Sequence, residues 1–281
     1  MSEVKVDINL LKELRAATGV GLSDCREALV ESKNDLDKAL EILKIKGLSK
    51  AMEKVNNVAV EGITKVLIDK NRAVIIELNC QTDFVSSTVD FNNLLNQILV
   101  TIIKEEKPVA TIEKALALSV SKTETLNDLI AKSIAKLGEN IVLKRFKVID
   151  KTNNEIFGSY IHTGGVRAGL VTLAGTKDQE VAKNIAMQLV AMNPKFIDVN
   201  DIDPGYRQRE LEIAREQVKD INKPKEIIDR MIEGKVNKAL AELTITNQSY
   251  IKDNSMTIKQ YLSKNNATIK NIIRYEVGEL I

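Results

Sequence analysis

The chain has 281 residues, of which 44% are apolar and 28% charged, and its formal net charge is +2. This composition excludes a disordered or fibrous chain, and the length suffices for two or three domains, each with its own core. A charge so close to neutral provides no overall field for gathering nucleic acid or an anionic membrane, so we expect neither as a direct partner.

The amino terminus, MSEVKVDINLLKELR, lacks the apolar core and the small-residue cleavage site of a signal peptide. No apolar run approaches the roughly 18 residues that a membrane-spanning helix needs. These features predict a cytoplasmic protein.

Apolar residues recur with helical spacing three times within the first fifty residues. The three groups are Leu10, Leu11, Leu14 and Ala17, then Leu22, Cys25, Ala28 and Leu29, then Leu36, Ala39, Leu40 and Leu43. We predict three short amphipathic helices, with a turn at residues 18–21, Asn34 as the cap of the third helix and Gly47 as its end. Residues 48–62 show no clear core pattern and are predicted to form a linker, so that residues 1–55 comprise the helical module and linker.

The remaining chain repeats one order of elements: strand, turn, strand and helix, then a helix end, an asparagine-bearing turn and a last strand. In the first region the turn is Lys70-Asn71 and the helix spans about Phe91 to Ile103. In the second, EIFGSYIHTGGVRAGLVTLAG supplies the two strands and DQEVAKNIAMQLVAM the helix. We therefore predict an α+β fold with two related core subdomains, residues 56–140 and 141–281, each an antiparallel three-stranded sheet backed by helices.

The second subdomain contains a purely helical insertion, residues 204–243, with Lys223-Pro224 at its centre. Its apolar stripes are Leu211, Ala214, Val218 and Ile221 before the proline, and Ile232, Val236, Ala239 and Leu243 after it. Such spacing is typical of an antiparallel coiled-coil hairpin, which serves as a strut or as a handle for a partner.

Candidate catalytic residues are few. Cys80 and His162 would form a nucleophile and base pair only if both lay at strand ends, and Cys80 sits in an apolar run where nothing activates a thiol. Both cysteines, Cys25 and Cys80, are predicted to be buried thiols. One histidine without clustered carboxylates fits no metal site, and no glycine-rich phosphate loop is present, so we expect no catalytic residue, no metal and no cofactor.

The segment NCQTDFV, residues 79–85, places Asp83 and Phe84 on the connection between a strand and a helix. One interpretation is an ordinary helix start, with Asp83 or Ser86 as the cap and Phe84 packed inward. The other is an exposed aromatic anchor that inserts into a partner. Composition alone favours the first.

Several longer segments follow one another along the chain: LLKELRAATGVGLSDCREAL, IIELNCQTDFV, LGENI, GSYIH, IAMQLVAMNPKFI, KPKEIIDRMIEGKV and IRYEVGE. In this order they resemble the bacterial elongation factor Ts family, whose members are guanine-nucleotide exchange factors for elongation factor Tu. The segments span nearly the whole chain. The resemblance implies an amino-terminal ubiquitin-associated-like module, a two-part core and an inserted coiled coil.

The resemblance also implies roles for individual residues. Thr82, Asp83, Phe84 and Val85 match the family loop that inserts beside the partner's magnesium and phosphate site and dislodges the magnesium ion. His162 matches a histidine that contacts the partner, and Arg15 and Leu22 lie where the helical module touches it. The coiled coil reaches towards the far side of elongation factor Tu, and a homodimer within a larger complex is a further expectation.

One departure concerns His162, because this chain reads HTGGVRAGL where the family has a tighter turn. The longer turn would displace His162 from the family position. The sequence also stops soon after YEVGEL, before a further helix that some relatives carry. Two alternatives to an exchange factor are a ubiquitin-associated-like binding adaptor on an α+β scaffold and a hydrolase that uses Cys80 and His162.

Overall fold

The computed structural model of the chain describes residues 6–18, 20–54, 57–219 and 221–280. These residues form two compact units, each described here by itself. The first contains the residues up to Leu67, Val74–Val148 and the residues from Val277 onwards; the second contains Ile68–Ala73 and Ile149–Glu276. Helices and antiparallel strands are present in both, as the α+β prediction requires.

The first unit opens with three packed helices, α1 (Ile8–Thr18), α2 (Leu22–Glu31) and α3 (Leu36–Lys54). Their common core takes residues from every predicted apolar stripe: Leu14, Cys25, Ala28, Leu29, Ala39 and Leu43. The prediction of three amphipathic helices is confirmed. Gly19 of the predicted turn lies outside the described residues.

The predicted end of α3 is wrong, because the helix continues through Gly47 to Lys54 and takes up the first part of the predicted linker. Gly47 is buried, and a Cβ placed on it would lie 3.6 Å from the Cβ of Ala135. This distance is an ordinary van der Waals contact, so the position does not require glycine. Packing at this buried position outweighs the weak helix propensity of glycine, and the helix continues through it. Val55 and Asn56 of the predicted linker lie outside the described residues.

Asn34 does not cap α3 as predicted. The Lys38 N–H donates to Asp35 Oδ1 at 3.1 Å, so Asp35 fills this role, with Asp37 in the first turn of the helix. Asn34 instead has a left-handed φ of 65° and accepts a hydrogen bond from the Asp7 N–H at 3.1 Å. Its side chain ties the start of α1 to the α2–α3 connection.

The rest of the first unit alternates strands and helices. Its elements are β1 (Glu61–Asp69), β2 (Arg72–Cys80), α4 (Asp83–Ser86), α5 (Val89–Lys104), α6 (Ile112–Leu116), β3 (Ser119–Ser121), β4 (Glu124–Thr125), α7 (Leu126–Leu137) and β5 (Val142–Asp150). The main sheet has the order β1-β2-β5, and β3 and β4 form a separate two-stranded ribbon.

β2 is the central strand of this sheet and is buried along nearly its whole length. Its alternate side chains Val74, Ile76, Leu78 and Cys80 belong to a core shared with α5 and α7. Phe91 of α5 is fully buried there. A strand buried in this way reads as a largely apolar run in the sequence, here RAVIIEL, residues 72–78.

The second unit repeats this arrangement. Its elements are β6 (Glu155–Ile161), β7 (Arg167–Ala174), α8 (Gln179–Met192), α9 (Pro204–Gln217), α10 (Lys225–Leu243), β8 (Ser249–Tyr250), β9 (Asp253–Thr257), α11 (Ile258–Lys264) and β10 (Thr268–Glu276). β7 is the central strand and pairs antiparallel with both β6 and β10. In each sheet, therefore, two consecutive strands form a hairpin, and a strand from later in the sequence pairs with the second of them.

The pairing of β5 concerns the boundary between the two core subdomains, which was predicted between residues 140 and 141. β5 forms hydrogen bonds with β2, so residues 142–148 lie in the first compact unit. The compact units separate after Val148.

α8 packs closely on the second sheet because Gly158 leaves room for it. A Cβ on Gly158 would lie 2.3 Å from the carbonyl oxygen of Ala182 in α8. The core beneath α8 includes Val171, Ile185 and Leu189.

The predicted insertion consists of α9 and α10. Ala214, Val236 and Leu240 are buried where the two helices pack together, with Leu211 and Ile232 partly buried beside them. The predicted stripe named Ala239 and omitted Leu240, whereas the structure buries Leu240 and leaves Ala239 half-buried. Asp220, in the connection between the helices, lies outside the described residues.

The last described residues belong to the first unit. The Gly278 N–H donates to Glu77 Oε1 at 3.1 Å, and Arg145 Nε donates to Glu77 Oε2 at 2.6 Å. Arg145 also pairs with Glu279 at 3.3 Å. Because the Glu77 side chain is completely buried in β2, these bonds satisfy a carboxylate that water does not reach.

Within the described ranges, no helix is both long and apolar enough to cross a membrane.

Candidate functional site

The connection after β2 carries the predicted Asp83-Phe84 site. Thr82 is the N-cap residue of α4, and its Oγ1 accepts a hydrogen bond from the Val85 N–H at 3.4 Å. Thr88 begins α5 in the same way, accepting from the Phe91 N–H at 3.2 Å. Two helix caps in close succession therefore fix the path of residues 81–86, which we call the exposed turn.

The exposure of Phe84 separates the two interpretations of this segment. Phe84 is 82% exposed, whereas Val85 is only 9% exposed and packs in the core of the first unit. Consecutive residues of a helix point about 100° apart, so burying Val85 turns Phe84 outward. The segment does begin a helix, but the predicted details are wrong: Phe84 does not pack inward, and the cap is Thr82 instead of Asp83 or Ser86.

Asp83 stands beside Phe84 with an exposed side chain. Its carbonyl oxygen accepts hydrogen bonds from the hydroxyls of Ser86 and Ser87 at 2.9 and 2.8 Å. Its carboxylate accepts none from the part of the chain that the structure describes. An acidic group and an aromatic ring are thus both presented to solvent on one turn of helix.

Glu139 holds the base of the exposed turn. Its Oε2 accepts hydrogen bonds from the backbone N–H groups of Gln81 and Thr82, at 3.1 and 3.0 Å. Its Oε1 accepts one from the Thr82 hydroxyl at 2.6 Å. The sequence analysis did not identify Glu139 as a site residue, although it lies within the LGENI segment.

A second set of hydrogen bonds surrounds Gln81. Its Oε1 accepts from the Asn140 N–H at 2.9 Å and from Asn57 Nδ2 at 3.3 Å. Asn140 Nδ2 in turn donates to the Asn57 carbonyl oxygen at 2.8 Å. Three separate segments of the first unit are therefore joined at the base of the exposed turn.

Val89, in the first turn of α5, adds a second exposed apolar side chain close to Phe84 in the sequence. It is 76% exposed, and the helix cap Thr88 directly precedes it. An apolar residue directly after a helix cap can be recognised in the sequence, and this pattern could have added Val89 to the predicted site.

Comparison with known proteins identifies the family. Residues 81–279 match the family model described as Elongation factor TS. A protein named Elongation factor Ts from Levilactobacillus brevis is 40% identical over 98% of this chain and 92% of its own length. One from Leuconostoc mesenteroides is 43% identical over 96% of this chain and 91% of its own length.

The chain belongs to the elongation factor Ts family. It is therefore a translation elongation factor, and the resemblance inferred from its segments is confirmed. A third relative of the same name, from Limosilactobacillus reuteri, is 40% identical over 99% of this chain and 94% of its own length.

The helical module of this elongation factor Ts family member presents the two residues that the resemblance singled out. Arg15 is exposed in the last turn of α1, and Leu22, the first residue of α2, is 49% exposed. They flank residues 18–21. The apolar stripe of α2 predicted Leu22 to be in the core, but only Cys25, Ala28 and Leu29 of that group are buried.

His162 lies in the second unit, just after β6, and its side chain is exposed. Its ring Nδ1 is 3.3 Å from the Tyr160 hydroxyl, and its backbone N–H donates to the Arg167 carbonyl oxygen at 2.9 Å. Gly164 and Gly165 have φ of 83° and 74°, a conformation suited to glycine, which closes the HTGG turn.

Cys80 has the character of a core thiol. It is fully buried, and its Sγ donates to the Thr82 carbonyl oxygen at 3.1 Å. Burial, reinforced by the nearby Glu139 carboxylate, raises the pKa of the Cys80 thiol to about 12. A thiol with this pKa is protonated at neutral pH, which removes the basis for a Cys80 nucleophile. Cys25 is also a buried free thiol, so both predictions of buried cysteines are confirmed.

Among the residues that the structure describes, no group of three histidine, cysteine, aspartate or glutamate side chains is arranged to hold a metal ion.

Proposed function

We propose that this chain binds elongation factor Tu and accelerates the release of its GDP, acting by protein binding without covalent chemistry. Membership of the elongation factor Ts family supports the general role. The finer proposal is that Thr82, Asp83, Phe84 and Val85 approach the partner's nucleotide site and dislodge its magnesium ion. This magnesium belongs to the partner, and the chain needs no metal or cofactor of its own.

The observation that carries the proposal is the exposure of Phe84 on a turn whose backbone is held in place. A phenyl ring left 82% in water contributes little to the core, yet the residues on either side of it are fixed by caps and by Glu139. Rigid aromatic side chains of this kind are typical anchors at protein interfaces. Asp83 adds a carboxylate at the same place, suited to disturbing a cation.

Energetics require more than one contact. Accelerating nucleotide release about ten-thousandfold needs roughly 5.5 kcal/mol of preference for the state from which nucleotide departs. One anchor of about 2 to 4 kcal/mol does not supply this alone. Thermodynamic linkage also makes the effect reciprocal, so GDP weakens binding of this chain by the factor by which the chain weakens GDP binding.

Further contacts are therefore part of the proposal. The helical module, as a ubiquitin-associated-like domain comprising residues 1–55, docks on the partner through Arg15 and Leu22. His162 adds a contact from the carboxy-terminal subdomain. Helices α9 and α10, as a coiled coil, provide a second grip. We further propose a cytoplasmic location, no direct contact with nucleic acid, and a homodimer within a larger complex with the partner.

Release of a fluorescent GDP analogue from elongation factor Tu tests the proposal directly. We expect Phe84→Ala to lower the release rate at saturating chain by about tenfold or more, because the wedge is lost while the docking contacts remain. Thermal unfolding should be nearly unchanged for so exposed a residue. Val100→Ala, which removes another exposed apolar side chain of the same unit, is the matched control and should exchange normally.

Equal losses of affinity and release rate for Phe84→Ala, or no loss, would count against a wedge at this position. A pull-down of elongation factor Tu with and without excess GDP separates exchange from simple adaptor binding. Only exchange requires GDP to compete with the chain.

A further inference from the structure

Glu139 is the most highly connected side chain at the exposed turn. It accepts two backbone N–H groups and one hydroxyl, all from Gln81 and Thr82. We propose that Glu139 is a positioning residue for nucleotide exchange, which holds Phe84 in the orientation that enters the partner. This inference rests on the function proposed above for Thr82, Asp83, Phe84 and Val85.

The clamp is anchored on a rigid element. Helix α7 buries Ile130 and Ile134 in the core of the first unit and ends at Gly138, whose φ of 78° closes the helix. Glu139 follows this cap directly. Its carboxylate is therefore held from the side of the core, and the exposed turn is tied to it.

The exposed turn needs such a tie because its own structure is too short to be stable. α4 has only 4 residues, and a single helical turn does not persist in water without outside support. Phe84 buries almost no surface that could orient it in the free chain. Its direction must come from the backbone on either side, and Glu139 fixes that backbone at Gln81 and Thr82. Ordering the turn before binding removes an entropic cost from association.

Substitutions at Glu139 can separate the effect of side-chain length from the effect of charge. Glutamine has the same length; its Oε1 can accept both backbone N–H groups while its Nε2 donates to Thr82 Oγ1, after the hydroxyl rotates. Aspartate keeps the charge but is one methylene shorter, so it does not reach all three donors. Alanine removes every bond. A hydrogen-bonding clamp therefore predicts that glutamine is tolerated and that aspartate and alanine are not.

Chymotrypsin cleavage after Phe84 reports on the exposed turn without the partner. Cleavage requires local opening, and its rate follows the population of the open form when opening and closing are fast. In the full chain we expect Glu139→Ala and Glu139→Asp to raise this rate by about tenfold or more, since each loses hydrogen bonds to a charged acceptor. Glu139→Gln should stay within about threefold of the unsubstituted chain. The fragment ending at Phe84 is quantified by mass spectrometry.

Release of the fluorescent GDP analogue should follow the same order, falling about tenfold for alanine and aspartate and little for glutamine. If aspartate preserves release and glutamine abolishes it, the charge of Glu139 acts directly and the clamp is wrong. Unchanged cleavage in all three variants also overturns it. Glu139→Asp keeps the test valid if Glu139→Ala does not fold.

The clamp and the function on which it rests fail in different ways. If Phe84→Ala releases GDP normally, the exposed turn is not the exchange site, whatever the cleavage rates show. If Phe84→Ala is defective but Glu139→Ala and Glu139→Asp release GDP normally, the proposed function stands and the positioning role is wrong.

Discussion

At the scale of single residues, Phe84 and Val85 show how neighbours in one sequence segment take opposite roles. Val85 belongs to the core and Phe84 to the surface, and the backbone between them is set by the Thr82 cap. The exposed turn therefore combines a valine packed in the core with a phenyl ring exposed to solvent. Removing the ring leaves the packing intact, so the role proposed for Phe84 can be tested without a loss of stability.

Cys80 offers the clearest test against covalent catalysis. We expect Cys80→Ala to lower the free energy of unfolding by roughly 1 to 2 kcal/mol, because a fully buried sulfur leaves a small cavity. Release of GDP from the partner should survive, since no step of the proposed function uses a nucleophile. Thermal unfolding and release of the GDP analogue measure the two effects.

A complementary measurement leaves the thiol in place. With a pKa raised to about 12 by burial and by Glu139, Cys80 should react very slowly with a thiol reagent at pH 8 in the folded chain. It should react rapidly after unfolding. Complete loss of exchange in a well-folded Cys80→Ala protein would contradict action by binding alone.

The sequence identified the exposed turn as a candidate site, but it did not identify every residue that holds the turn in place. An aromatic residue on the connection between a strand and a helix is compatible with burial or exposure, and the structure decides between them by burying Val85 and leaving Phe84 exposed. Glu139 was missed because its bond to the Thr82 N–H joins residues 57 positions apart. Nothing local in the sequence marks such a contact, whereas the apolar run of β2 is a local signal.

At the scale of elements, most helices and strands follow from periodicity, and the errors concern where a helix ends and which of its residues are buried. Gly47 was taken for a helix end, but α3 continues through it to Lys54, because tertiary packing outweighs the weak helix propensity of one glycine. The predicted buried stripe of α10 contained Ala239, whereas the structure buries Leu240. Both assignments fit a helix, but the buried face differs by one residue position. Which face of a helix is buried depends on the partner element, and the sequence of one helix does not contain that information.

Glycine at two places in the second unit should have opposite effects on stability. Gly158→Ala should destabilise the chain by about 3 kcal/mol, because the new Cβ would lie 2.3 Å from the Ala182 carbonyl oxygen and push α8 from the sheet. Gly234→Ala is the matched control. It lies in α10 with nothing within 4 Å of the added Cβ, and should stabilise the chain by about 0.5 to 1 kcal/mol.

Chemical denaturation of both variants, with the slope of the unfolding curve held as a check on two-state behaviour, measures these changes. A neutral Gly158→Ala would mean that α8 shifts at little cost. The close packing inferred for the second sheet would then be wrong.

At the scale of the whole molecule, the ion pairs of Arg145 and Arg72 contrast a buried network with a surface pair. Arg145 bonds to the fully buried Glu77, whereas Arg72 pairs with Asp150 whose side chain is 64% exposed. Arg145→Ala should cost about 3 kcal/mol or more, because it leaves a buried carboxylate without its cation. Arg72→Ala, the control, should cost less than about 1 kcal/mol.

Thermal unfolding in low and high salt distinguishes the two pairs. The effect of Arg72→Ala should shrink with salt, while that of Arg145→Ala should persist, because salt screens exposed charges far more than buried ones. Similar costs for both variants would show that Glu77 is satisfied by other groups.

The hydrogen bond from Gly278 to Glu77 joins residues 201 positions apart, and this separation has a consequence for synthesis. A ribosome adds roughly 5 to 20 residues per second, so Glu77 is incorporated roughly 10 to 40 s before Gly278, its last partner in the sequence. During that interval the first sheet holds a carboxylate that is only partly satisfied, while residues 149–276 of the second unit are still being made. The first unit begins to be translated first, yet its last hydrogen bond to Glu77 is made last. Nascent chains stalled before residue 278 should therefore be cleaved by proteases within β2 more readily than released chains.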